Sequence, residues 1–166
     1  MIKAATADSD RHASTPSDAG YPRPFAGERV YLAARTARQE EMKAIASELK
    51  RAGAAIVSRW IDCETSIESD LDSDTRGAAE LAVADLADLF RATTCIAFTE
   101  PPAALQRGRG GRHVELGAAL ALGLRTIVVG PTEHVFHCLP TIERYDAWRD
   151  VRESLLKQRG DVSAVA

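Results

Sequence analysis

Four short apolar runs, each followed by a stretch with helical periodicity, constrain this chain more than any other feature. The runs are Val30-Tyr31-Leu32-Ala33, Ala54-Ala55-Ile56-Val57-Ser58, Cys95-Ile96-Ala97-Phe98 and Thr126-Ile127-Val128-Val129. None alternates cleanly between apolar and polar residues, so each reads as a strand buried on both faces. Between the first two, Met42, Ile45, Ala46 and Leu49 recur at helical spacing over residues 36–52, and Gly53 stops the helix. A second helix covers 77–92, with Leu81, Ala84, Asp85, Leu89 and Phe90 on its inner face. A third covers 112–123. A weaker fifth strand near 142–145 precedes a last helix near 146–157. Strands alternating with helices predict a parallel sheet covered on both faces. Five strands suggest a flavodoxin-like, doubly wound α/β fold of order 2-1-3-4-5, whose ligands bind beyond the carboxyl ends of β1 and β3.

The rest of the chain sets the boundaries. Residues 1–27 are rich in Ala, Ser, Asp, Pro and Gly without a period and read as a disordered or loosely attached leader. Residues 28–158 form one domain, and 159–166 a flexible tail. The acidic, Ser-rich stretch 61–76 reads as an exposed loop. A net charge of −3 argues against a nucleic-acid polymer as partner, because phosphate backbones need a basic face. No apolar run is long enough to span a bilayer, so no membrane partner is expected. The 3 cysteines, Cys63, Cys95 and Cys138, are widely spaced, and the start lacks a secretory h-region; together these predict a cytoplasmic setting.

The chemistry concentrates in Gly110-Gly111-Arg112-His113-Val114-Glu115-Leu116-Gly117, a glycine-rich turn opening a helix that is apolar almost all round. Such a helix is expected to be buried, and Glu115, its one carboxylate, to border a cavity, a partner or a substrate. Placed in the first turn, Glu115 is expected to stay ionised beside the free N–H groups. A helix-stabilising acid is the other reading of the same position. The loop before it does not fit a dinucleotide fingerprint, because His113 replaces the third glycine of G-x-G-x-x-G. It reads either as a cradle in which Gly111 admits a ligand while Arg109 or Arg112 pairs with an anion, or as a solvated basic loop. Tyr31, Ala34 and Arg35 end the first strand, at the ligand edge of such a sheet. Arg59 and Trp60 end the second, where Trp60 either stacks on a base or caps the core. Asp85 reads either as a solvent-facing helical acid or as the second carboxylate that cleavage of a glycosidic bond requires. His113, His134 and His137 lack the spacing of a zinc site, so no metal is expected; cleavage of a glycosidic bond by two carboxylates needs no organic cofactor either.

Several of these segments together resemble one family. Val30-Tyr31-Leu32-Ala33-Ala34-Arg35, Asp85-Leu86-Ala87-Asp88-Leu89, Gly111-Arg112-His113-Val114-Glu115-Leu116-Gly117 and Val129-Gly130-Pro131 followed by Val135-Phe136-His137 are similar to segments of the nucleoside 2-deoxyribosyltransferase family. That family includes 2'-deoxynucleoside 5'-phosphate N-hydrolases. The resemblance covers residues 28–150. It implies cleavage of an N-glycosidic bond through a glutamate nucleophile, matched by Glu115. It also implies an aspartate near the leaving base, matched by Asp85, and an aromatic residue ending β1, matched by Tyr31. Substrate contacts are expected from Ala34, Arg35, Trp60, Arg109, Gly111, Arg112 and His113, with the arginines as candidates for a 5'-phosphate. The substrate is then a nucleoside or nucleotide and the protein a homodimer or higher homo-oligomer. The chain departs from the family at Ala92-Thr93, where an aspartate usually opens the third strand. A non-catalytic nucleotide-sensing module and a TIR-like NAD glycohydrolase are the alternative readings.

Overall fold

The computed structural model describes residues 25–63, 75–101 and 110–161. Five strands, β1 (Arg29–Ala33), β2 (Ala55–Ile56), β3 (Thr94–Phe98), β4 (Arg125–Val129) and β5 (Ile142–Tyr145), form one sheet in the order β2-β1-β3-β4-β5. Every neighbouring pair is parallel. Four helices connect or follow them: α1 (Gln39–Arg51), α2 (Thr75–Arg91), α3 (Gly111–Ala121) and α4 (Trp148–Asp161). This is the doubly wound α/β arrangement expected from the alternating runs.

Alternation along the strands divides the core in two. Val30 and Leu32 of β1 and Ile96 and Phe98 of β3 pack with Met42, Ile45 and Leu49 of α1 and Val151 of α4. Tyr31 and Ala33, with Cys95 and Ala97, face the other way and meet Leu89 of α2 and Leu116 and Ala119 of α3. Phe25, three residues before the expected start of the domain, is 1% exposed and belongs to the first layer. Residues 1–24 lie outside the described residues.

Three local expectations are corrected. The second strand is only Ala55–Ile56, because the chain turns into a 3₁₀ segment at Arg59–Asp62. Phe90 does not face the core but is 67% exposed on α2. The α3 helix is not buried all round either, since Val114 is 67% exposed. An Ala- and Gly-rich helix has no strongly polar face, so its apolar residues cannot by themselves show which side meets the sheet.

Candidate active site

β1 and β3 are neighbours, but their crossovers leave on opposite faces of the sheet: α1 covers one face and α3 the other. Their carboxyl ends therefore diverge, and side chains gather in the crevice between them. Tyr31 is fully buried one layer below this edge, with Cys95 opposite it in the sheet. Its phenol O–H donates to Glu115 Oε1 across 2.9 Å. This contact joins β1 to α3 over 84 positions of sequence.

Burial decides the charge state of the group. Glu115 is pushed up from the usual carboxylate range to about 7, chiefly by desolvation and further by the nearby Asp85 carboxylate, while the Tyr31 hydrogen bond pulls it down. The helix N-terminus does not hold Glu115 ionised. α3 begins at Gly111, so Glu115 stands beyond its first turn, where the field of the free N–H groups has faded. Tyr31 is raised far above an ordinary phenol by burial and by the same two carboxylates, so it remains a donor. Asp85, half-buried on α2, rises to about 6 through burial and the charge of Asp88, opposed by Arg59. Two carboxyl groups with raised pKa values thus lie close enough to interact with each other and with a buried phenol.

The two aspartates of Asp85-Leu86-Ala87-Asp88 have different surroundings. Asp88 is 0% exposed and accepts the Arg59 backbone N–H at 2.9 Å and the Arg59 Nε at 2.8 Å. Arg91 pairs with it as well. These contacts tie α2 to the turn after β2 and hold Asp88 below the usual carboxylate range despite its burial.

The remaining site candidates divide. Ala34 and Arg35 follow β1 at the carboxyl edge. Gly110 adopts φ +75° and caps α3, a backbone setting that favours glycine. Among the described residues, a Cβ at Gly111 would meet nothing within 4 Å. Trp60 is held at the core edge, its indole N–H donating to the Leu32 carbonyl at 2.7 Å. Arg112 is the main correction. It is 6% exposed and its guanidinium is 2.7 Å from Glu133 Oε1, so it is committed to an internal ion pair rather than offered to a ligand. Arg109 lies outside the described residues.

Glu133 had no sequence signal, because its partners come from two other parts of the chain. Its Oε1 accepts from Arg112 and from the Glu100 backbone N–H at 2.8 Å, and its Oε2 lies 3.4 Å from His113 Nε2. Arg38 was also missed. It stacks 5.2 Å over the Phe98 ring and donates to the Thr99 carbonyl. With Glu41, Pro131 and Trp148 it lines a cleft of about 280 Å³ at the same sheet edge. That cleft opens on the α1 and α4 side, and its lining does not include Glu115.

No protein-family model matches the chain, and no curated protein matches its sequence. Among solved structures, a 2-deoxyribosyltransferase from the psychrotolerant bacterium Bacillus psychrosaccharolyticus superposes with a TM-score of 0.52 at 17% identity, over 74% of this chain and 89% of that one. A CMP N-glycosidase of Clostridium botulinum matches at 20% identity with a TM-score of 0.49, over 80% of this chain and 98% of that one. The chain shares the fold of the 2-deoxyribosyltransferase.

Proposed function

We propose that this protein is an N-glycosidase or deoxyribosyltransferase. It would cleave the N-glycosidic bond of a (deoxy)nucleoside or nucleoside 5'-monophosphate and pass the sugar to another base or to water. The observation that carries this reading is the Tyr31–Glu115 hydrogen bond beside Asp85, at the crevice where the strand order reverses. The fold shared with a 2-deoxyribosyltransferase supports it, as do the sequence segments that resemble that family.

In this mechanism a Glu115 carboxylate oxygen attacks C1' as the bond to the base nitrogen breaks. Positive charge develops on the sugar in the transition state, and the carboxylate stabilises it. Asp85 delivers a proton to the departing base or holds it in place. Water or a second base nitrogen then attacks C1' from the face the base left, releasing Glu115 with net retention. The Tyr31 hydrogen bond favours the ionised, nucleophilic form of Glu115 and fixes its rotamer. Arg35 and Arg109 are the cations we assign to a 5'-phosphate, since Arg112 is occupied by Glu133. The reaction draws on side chains alone. The free cysteines Cys63, Cys95 and Cys138 support a cytoplasmic setting, and no helix among the described residues is long and apolar enough to cross a membrane.

We also assign the working form as a homodimer. Val83, Leu86 and Phe90 lie three and four residues apart along the exposed side of α2 and are 68%, 38% and 67% exposed. A second copy covering this apolar stripe would stand next to Asp85, which shares the helix.

The test is base release from deoxynucleosides and their 5'-monophosphates, with and without a second free base. Wild type should release base and Glu115→Gln should lose at least ~10³-fold in rate. Binding without release would establish the sensing module instead. Silence with no thermal shift from any of these compounds would overturn the glycosidic reading.

A further inference from the structure

His113 on α3 and His134 and His137 in the β4–β5 connection each bring a ring nitrogen to within 4.8 Å of the others. His113 Nδ1 and His134 Nε2 are 3.2 Å apart. With zinc–nitrogen bonds of ~2.0–2.1 Å, two ligands of a tetrahedral ion stand roughly 3.3 Å apart, so this pair is already spaced as one edge of such a site. We propose that His113, His134 and His137 bind a divalent transition metal of the zinc type, fastening the start of α3 to the β4–β5 connection. This assignment is independent of the glycosidic chemistry.

The surroundings fit a metal better than a packing cluster. His137 is 1% exposed, and its Nε2, the atom that coordination would use, has no hydrogen-bond partner among the described residues. A core formed for packing alone rarely leaves a buried imidazole nitrogen unsatisfied. Glu133 Oε2, also unpaired, faces His113 Nε2 at 3.4 Å. A carboxylate there holds the proton on Nε2 and turns the Nδ1 lone pair toward His134, the outer-shell arrangement that metal-binding histidines use. Glu133 is itself fixed by Arg112 and the Glu100 N–H, so its aim does not depend on the metal. His137 is the ligand that must adjust. Its Nδ1 accepts the Glu133 backbone N–H at 3.3 Å, and coordination through Nε2 moves the ring proton to Nδ1 and gives up that long contact. Three imidazoles leave one coordination position for water. An all-nitrogen set selects zinc, cobalt, nickel or copper over magnesium and calcium.

Full-length protein without a histidine tag, stripped with chelator, should bind one equivalent of Zn²⁺ by calorimetry and show the visible spectrum of tetrahedral Co²⁺. Zinc should raise Tm and magnesium should not. His134→Ala, in the β4–β5 connection, should weaken zinc binding by at least about 100-fold and abolish the Tm rise. His113→Gln tests the same point from α3. Cys138→Ser should bind as wild type does, because the exposed thiol beside His137 is not a ligand. Absence of stoichiometric binding by the wild type would overturn the proposal. So would binding unchanged in both histidine variants, or binding lost in Cys138→Ser.

Discussion

Glu115 is a carboxyl group placed where ionisation is costly. Its pKa of about 7 and that of Asp85, about 6, describe a pair that holds one proton between these values. The proposed chemistry needs Glu115 ionised and Asp85 protonated, the less populated placing of that one proton, so turnover draws on this minor form and kcat/KM is expected to be bell-shaped, with limbs near pH 6 and 7. A plateau extending above pH 8 would exclude the paired mechanism. Tyr31→Phe removes the one hydrogen bond that favours the Glu115 anion, so it should move the alkaline limb upward and slow turnover. Stability follows from the same shift. The native state keeps the Glu115 proton up to about pH 7, whereas the unfolded chain loses it near the ordinary value of 4.5. Stability therefore falls as pH rises through this window, and the cost, at most ~3 kcal/mol, is complete above it. Glu115→Gln should be more stable than wild type in urea titrations at pH 8 and nearly equal to it at pH 4. No such difference between the two pH values would mean that Glu115 is better solvated than the fold indicates.

At the level of elements, α3 and α2 are each positioned by an ion pair rather than by apolar packing alone; both partners are buried for α3, whereas for α2 Asp88 is buried and Arg59 is 61% exposed. Arg112 and Glu133 have side chains 5% and 4% exposed, and they pin the start of α3 to the connection after β4. Arg112→Ala leaves Glu133 buried beside one backbone donor and should cost ~3–5 kcal/mol, read as a shift in the urea midpoint. A change below ~1 kcal/mol would mean that water reaches Glu133 readily. These pairs explain what could be read along the chain and what could not. The glycine-rich turn and the helix after it were legible, because Gly110 at positive φ and the 3.6-residue period are local properties. The fate of Arg112 was not, because its partner lies 21 residues away in a segment without regular pattern. The same holds for Asp85 and Asp88. Three apart on one helix, they look alike in sequence, and only Arg59, arriving from the end of β2, makes one structural and leaves the other near Glu115.

For the whole molecule, the exposed stripe of Val83, Leu86 and Phe90 makes assembly measurable. Phe90→Glu should convert the proposed dimer to a monomer in light scattering while leaving Tm nearly unchanged, because a side chain so exposed adds little to the monomer's core. A wild-type monomer at micromolar concentration would remove the dimer. If the second copy helps to close the crevice, Phe90→Glu should also lower base release, although Phe90 faces away from the core.

The strand order, and with it the edge that holds the candidate site, were determined by sequence alone. Short strands buried on both faces and joined by helices admit few right-handed topologies, and each topology has one switch point. The candidate pair Tyr31 and Glu115 was likewise named from position along elements whose period is local. Tertiary structure decided the rest: the proton on Glu115, the occupation of Arg112, the difference between Asp85 and Asp88, and the meeting of three histidines from two segments. Each depends on desolvation and on partners brought from distant parts of the chain. Electrostatic energies depend on distance in space and on exclusion of water, neither of which residue order records.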